Sequence, residues 1–109
     1  MNNEEIAKHI WHDILQNSKI PWTWGLEFST VKTIKCGTAF YVRATICGWV
    51  KIQQNVNGTF NVGFKPDEFG SYLTFNDLTS QEVISTIDRI VKEGVLSENT
   101  EPMEYKVAV

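Results

Sequence analysis

Alternating apolar and polar residues dominate the segment between Phe28 and Pro66, and this pattern predicts an antiparallel sheet. In the predicted strand from Thr38 to Cys47, every second residue from Phe40 onward is apolar, as expected when one face of a strand is buried. Its β-branched and aromatic residues favour the same structure. The buried face would carry Phe40, Val42, Ala44 and Ile46.

The next two predicted strands run from Trp49 to Asn55 and from Thr59 to Lys65, and the loop between them fixes their register. A two-residue Asn57-Gly58 turn is the usual hairpin connection for this dipeptide, but it would pair polar with apolar residues. A loop of three residues, with Gly58 in a left-handed conformation, avoids this conflict. We therefore predict the pairs Ile52 with Val62 and Val50 with Phe64.

Two segments with helical periodicity flank the predicted sheet. The first extends from Asn3 to Asn17 behind a capping box of Asn2 and Glu5. Its apolar stripe consists of Ile6, Ala7, Ile10, Trp11, Ile14 and Leu15. The second helix follows a capping box of Thr79 and Glu82 and should end at Gly94. Its apolar stripe consists of Val83, Ile84, Ile87, Ile90 and Val91.

Two less regular segments complete the predicted sheet. Leu26 to Lys35 should be its first strand, with a bulge near Ser29-Thr30 because Val31 breaks the alternation. Ser71 to Phe75 is a candidate short strand. Residues 97–109 form a C-terminal tail whose last apolar residues alternate, so the tail is either an added edge strand, in this chain or a partner, or a frayed terminus.

These elements predict a single compact domain over residues 1–96, with the order α-β-β-β-β-α. The fold class is α+β with two layers: a three- to four-stranded antiparallel sheet, and an N-terminal and a C-terminal helix packed on one of its faces. The face under the helices would hold Phe40, Val42, Ile52 and Val62.

Charge is distributed unevenly along this chain of 109 residues and net charge −3. The segment from Phe28 to Pro66 carries five basic residues and no acid, whereas all 13 acids lie outside it. The acidic total disfavours general nucleic-acid binding but allows a local basic site. Neither a signal peptide nor a membrane-spanning run is recognisable. We expect a cytoplasmic protein in which Cys36 and Cys47 stay reduced, since an extended strand would hold them too far apart to bridge.

The sequence offers little catalytic chemistry, and we expect no enzyme activity, cofactor or metal. His9 and His12 have helical spacing and Asp13 is adjacent, but a defined metal site needs three or four converging ligands. Cys36 follows a lysine, although no histidine is placed to act as its base. Phosphate-binding loops and hydrolase motifs are absent from the sequence.

The solvent-facing side of the sheet is the predicted binding surface. Trp22 and Trp24 form an aromatic corner with Pro21 and Gly25, which either fills the end of the core or anchors a partner. The sheet residues predicted to face solvent and bind a partner are Tyr41, Arg43, Trp49, Lys51 and Lys65.

The favoured function is a small non-enzymatic interaction module that binds a protein partner through this face or through an edge strand. Its size and lack of catalytic motifs suggest an inhibitor, immunity or accessory protein, a format common in phages and mobile elements. The alternative is single-stranded nucleic acid, with bases stacked on Tyr41 and Trp49; the acidic net charge disfavours it. A homo-oligomer formed through a sheet edge is also compatible with the sequence.

Overall fold

Five antiparallel strands form one sheet in a computed structural model that describes residues 2–67 and 72–93. Consecutive strands are neighbours, so the sheet is a meander with β1 and β5 at its edges. The strands are β1 (Leu26–Ile34), β2 (Gly37–Arg43), β3 (Cys47–Gln54), β4 (Phe60–Pro66) and β5 (Leu73–Leu78). The helical elements are α1 (Asn3–His9), a π-helical segment (Ile10–Ile14), short 3₁₀ turns (Leu15–Asn17 and Ile20–Thr23), and α2 (Ser80–Glu93).

The α+β class and the flanking helices agree with the sequence prediction, whereas the sheet has five strands instead of three or four. The additional strand is β5, which continues three residues beyond the predicted Phe75. Gly94 and the predicted tail 97–109 lie outside the described residues.

Both helices begin at the predicted capping boxes. The side-chain oxygen of Asn2 accepts from the Glu5 backbone N–H at 2.9 Å, and the Glu5 carboxylate accepts from the Asn2 N–H at 2.9 Å. Thr79 and Glu82 make the same reciprocal pair before α2. These contacts satisfy backbone donors that the first helical turn would otherwise leave without partners.

The predicted N-terminal helix covers the expected residues but is not α-helical throughout. Its second half is a π-helical segment followed by a 3₁₀ turn. Ile10, Ile14 and Leu15 are all buried in this region. No helix among the described residues is both long enough and apolar enough to cross a membrane.

The strand predicted to run from Thr38 to Cys47 ends earlier, at Arg43. Cys47 starts β3 and pairs directly with Arg43, so the chain reverses between them. Ala44 and Ile46 lie in the turn and still pack against the core, which explains why the alternation continues past the end of the strand. Cys36 and Cys47 are both free thiols.

The β3–β4 hairpin has the predicted three-residue loop. Ile52 pairs with Val62 and Val50 with Phe64. Gly58 has a φ of 90°, and its N–H donates to the carbonyl of Asn55 at 3.0 Å. This register places the apolar residues of both strands on one face.

One hydrophobic core lies between the sheet and the helices. The π-helical segment contributes Ile10 and Ile14, and α2 contributes Val83, Ile87, Ile90 and Val91. The sheet residues of the core are Phe40, Val42, Val50, Ile52, Phe60, Val62 and Phe64. Both helices therefore cover the predicted face, and the opposite face of the sheet is left without a second layer within the described part of the chain.

The predicted bulge in β1 is present and large. Glu27 pairs with Tyr41, and the next pair is Lys32 with Ala39, so β1 advances five residues while β2 moves two. The Thr30 hydroxyl fills the gap by accepting from the Tyr41 N–H at 2.8 Å. A side chain thus replaces a ladder bond that the backbone of β1 cannot make.

Candidate binding face on the open side of the sheet

Four lysines surround a shallow concavity of about 510 Å³ on the uncovered face of the sheet. We call it the lysine concavity; its cations are Lys32, Lys35, Lys51 and Lys65, and the aromatic side chains that line it are Trp49 and Tyr72. No Asp or Glu is among its lining residues. None of the four lysines makes an ion pair with a residue in the ranges 2–67 and 72–93.

Strand register explains why these side chains converge. Lys32 of β1, Lys51 of β3 and Gly63 of β4 lie in one row across the sheet, with Ala39 between the two lysines. Trp49 and Lys65 are paired in the next row. Small residues form the floor of the concavity and long ones form its wall.

Gly63 also controls the wall of the concavity. A Cβ at this position would come within 3.0 Å of Cγ of Lys51 and Cδ1 of Tyr72. The absence of a side chain lets the stem of Lys51 and the Tyr72 ring approach each other across β4.

Two of the lysines rest on aromatic rings. Nζ of Lys32 lies 4.8 Å from the ring centre of Trp49, and Nζ of Lys51 lies 4.3 Å from that of Tyr72. Cation–π attraction at these distances restrains a side chain that would otherwise sample many rotamers. The rings therefore hold two ammonium groups at defined positions above the sheet.

Tyr41 and Arg43 flank the concavity but are engaged elsewhere. The Tyr41 ring packs edge-on against Trp49, with 5.6 Å between ring centres. Its hydroxyl donates to Asp67, and this hydrogen bond, with partial desolvation, raises the pKa of Tyr41 above its ordinary value. Arg43 donates to Glu27, and that contact raises the pKa of the guanidinium. The charge of Arg43 is thus offset locally.

The sequence-derived site residues separate into three places. Trp49, Lys51 and Lys65 belong to the lysine concavity, and Tyr41 and Arg43 border it on the same face. Trp22 lies on the helix side of the sheet, where it is 44% exposed. Trp24 is fully buried, and its indole N–H donates to Asp88, which corresponds to the alternative in which the corner fills the core.

Two of the four lysines and one of the two aromatic side chains that line the concavity were not among the predicted site residues: Lys32, Lys35 and Tyr72. Lys32 and Lys35 belong to the basic segment, but the bulge in β1 hides which face they occupy. Tyr72 precedes β5 in a stretch too short for a clear alternation. Tyr72 lies nine residues after Gly63 in the sequence, and this spacing does not predict that the two residues are in contact.

The described residues include no cluster of three histidine, cysteine, aspartate or glutamate side chains that could hold a metal ion. His9 instead forms a pair with Asp13 on the surface of the N-terminal helical region. Comparison with known proteins gave no matching family model, curated protein or solved structure.

Proposed function

We propose that this protein is a small interaction module whose lysine concavity binds an acidic surface of a protein partner. The observation that carries the proposal is the group of four lysines around one concavity with no acid in its lining. Such a group concentrates positive potential and attracts an oppositely charged surface. Because two of the ammonium groups are already held over aromatic rings, their side chains lose less conformational entropy when a partner binds.

The aromatic contacts favour carboxylates over nucleobases as the groups that are bound. Stacking of a base needs a free ring face. In the Trp49 side chain, one face is approached by Lys32 and the ring also meets the edge of Tyr41. A base could stack there only by displacing those contacts, whereas a carboxylate would meet the ammonium groups where they already lie.

The test compares charge reversal inside and outside the concavity. Lys51→Glu/Lys65→Glu reverses two charges of the site, and Lys19→Glu/Arg89→Glu makes the same change in net charge on exposed residues elsewhere. Wild-type protein and both variants are immobilised, partners are captured from host extract, and the dissociation constant of each purified partner is measured. The site variant should weaken binding by about tenfold or more, and the control by much less.

The experiment also measures how binding depends on salt concentration and how tightly the protein binds two defined polyanions. Poly-L-glutamate should be retained at low salt and released as ionic strength rises, because screening weakens exposed charge pairs. A single-stranded oligothymidylate serves as the competing probe. If it binds more tightly than poly-L-glutamate and quenches tryptophan fluorescence, the nucleic-acid alternative replaces the proposal. Equal partner binding by the site variant and wild type would remove the concavity as the binding site.

A further inference from the structure

Two carboxylates lie on the open face of the sheet beside the lysines of the concavity, although neither belongs to its lining. The first is Asp67, two residues after Lys65. Its N–H donates to the carbonyl of Cys47 at 3.1 Å, which continues the pairing of β4 with β3 beyond the Trp49–Lys65 pair. Residues two apart on a strand share a face, with their Cα atoms roughly 7 Å apart. The carboxylate of Asp67 is therefore within side-chain reach of the Lys65 ammonium.

The second carboxylate is Glu27, which the bulge of β1 brings next to Lys32. The two residues are five positions apart in sequence, but their partners on β2, Tyr41 and Ala39, are only two apart. Glu27 and Lys32 are consequently neighbours on the open face, at a spacing along the strand of roughly 7 Å. Each of the two acids thus has a lysine of the concavity beside it.

Both carboxylates are bound by other side chains. The Tyr41 hydroxyl donates to Oδ2 of Asp67, and Nε of Arg43 donates to Oε2 of Glu27. Cζ of Arg43 also lies 5.2 Å from the ring centre of Tyr41, so the four side chains form one continuous set of contacts. Within the described part of the chain, neither acid forms an ion pair with a lysine of the concavity.

The chemistry of the donors explains why these contacts prevail over the neighbouring lysines. An exposed lysine gains little from an ion pair, because its long side chain must be ordered and solvent screens the charges. A guanidinium is more weakly hydrated than an ammonium, and its planar fork matches a carboxylate. The ring of Tyr41 contacts both Trp49 and Arg43, so its hydroxyl is already directed and little conformational entropy remains to be lost.

We propose that Tyr41 and Arg43 are positioning residues of the lysine concavity, which hold the carboxylates of Asp67 and Glu27 away from its lysines. The ammonium groups then stay available to an acidic partner. The inference rests on the proposed function, and it gives these two residues an effect on binding that needs no contact with the partner. Without them, the released carboxylates would compete with those of the partner for the lysines.

The test is a double-mutant cycle of Tyr41→Phe and Asp67→Asn. The probe is a fluorescein-labelled decaglutamate peptide, whose dissociation constant is measured by fluorescence anisotropy at low salt. Tyr41→Phe keeps the ring and removes only the hydroxyl, so the released Asp67 should weaken binding by about two- to fivefold, the range of an exposed ion pair. In the Asp67→Asn background the same substitution should leave the affinity unchanged, because it releases no carboxylate.

A second cycle, of Arg43→Gln and Glu27→Gln, tests the other acid. Arg43→Gln also removes a positive charge next to the concavity, so it should weaken binding in both backgrounds. The loss should be larger while Glu27 is present, and the two losses should differ by about two- to fivefold. Circular dichroism establishes that each variant is folded.

Coupling within each cycle decides the inference. If the Tyr41 hydroxyl served only the packing of the sheet, its removal would have the same effect with and without the Asp67 carboxylate. Equal effects in both backgrounds, or no effect in either, refute the positioning role of the residue that the cycle tests.

The charge-reversal variant Lys51→Glu/Lys65→Glu separates this inference from the proposed function. If that variant loses the peptide while neither cycle shows coupling, the concavity remains the binding site and only the positioning role is refuted. If it binds the peptide as tightly as the wild type, the proposed function fails and the inference fails with it.

Discussion

The indole Nε1 of Trp24 donates a hydrogen bond to Oδ1 of Asp88 at 3.0 Å, which joins the 3₁₀ turn before the sheet to α2, 64 residues later. Lys92 also contacts this carboxylate, with 2.8 Å between Nζ and Oδ1. Since Trp24 is fully buried, Asp88 provides the partner that its N–H needs inside the core.

Removing this acceptor should destabilise the protein. Asp88→Ala leaves the buried indole N–H without its partner, which costs about 1–3 kcal/mol in the free energy of unfolding. Lys92→Ala removes only a partly exposed ion pair and should cost less than about 1 kcal/mol. Urea unfolding measures both. Equal stability of Asp88→Ala and the wild type would mean that the hydrogen bond contributes nothing.

The same carboxylate should make stability depend on pH in the acid range. Partial burial acts to raise the pKa of Asp88, but the hydrogen bonds from Lys92 and Trp24 outweigh it and leave the pKa below its ordinary value. A folded-state pKa below the unfolded one gives stability that is complete above the unfolded value, about 3.9, and is lost as pH falls through the folded value. Asp88→Asn should therefore lose less stability than the wild type between pH 6 and strongly acidic pH. Parallel curves for the two proteins would contradict this assignment.

The Thr30 hydroxyl should stabilise the bulge of β1. Thr30→Val keeps the shape of the side chain but removes both the acceptor for the Tyr41 N–H and the donor to the Glu27 carbonyl, at a cost of about 0.5–1.5 kcal/mol for each hydrogen bond. Thr33→Val makes the same chemical change at an exposed position of the same strand and is the matched control. Faster hydrogen exchange of the Tyr41 amide in Thr30→Val alone is the expected result; no difference between the two variants would argue against the role of the hydroxyl.

Two glycines should differ sharply in their tolerance of alanine. A Cβ on Gly37 would lie 1.8 Å from the carbonyl oxygen of Ile52, so the backbone of β2 or β3 must move. A Cβ on Gly58 meets nothing within 4 Å, and the substitution is opposed only by the positive φ, at about 1–2 kcal/mol. Thermal unfolding should therefore show a larger drop in Tm for Gly37→Ala than for Gly58→Ala. The reverse order would contradict the close approach of β2 and β3.

Local signals in the sequence predict most of the fold. The two capping boxes, the bulge in β1 and the register of the β3–β4 hairpin each depend on residues close together along the chain, and each is present in the structure. The end of β2 was predicted too late because Ala44 and Ile46 remain half-buried in the turn. The length of β5 was underestimated because apolar alternation ends before the strand does.

The candidate site was only partly predictable, for a related reason. Trp49, Lys51 and Lys65 lie on regular strands, where alternation fixes the face that each side chain occupies. Lys32 follows a bulge that resets the alternation, and Tyr72 reaches the concavity only because Gly63 leaves space above β4. Trp24 was predicted as either a core or a partner-binding residue, since sequence alone does not locate its hydrogen-bond acceptor on α2.

The positive charge of the lysine concavity can be changed by chemical modification of lysine side chains. All the cations that line it are primary amines, and the guanidinium of Arg43, which borders it, is paired with Glu27. Acylation neutralises an amine and leaves a guanidinium untouched. Acylation of these lysines would therefore remove the positive charge of the concavity and, with it, the cation–π contacts of Lys32 with Trp49 and of Lys51 with Tyr72.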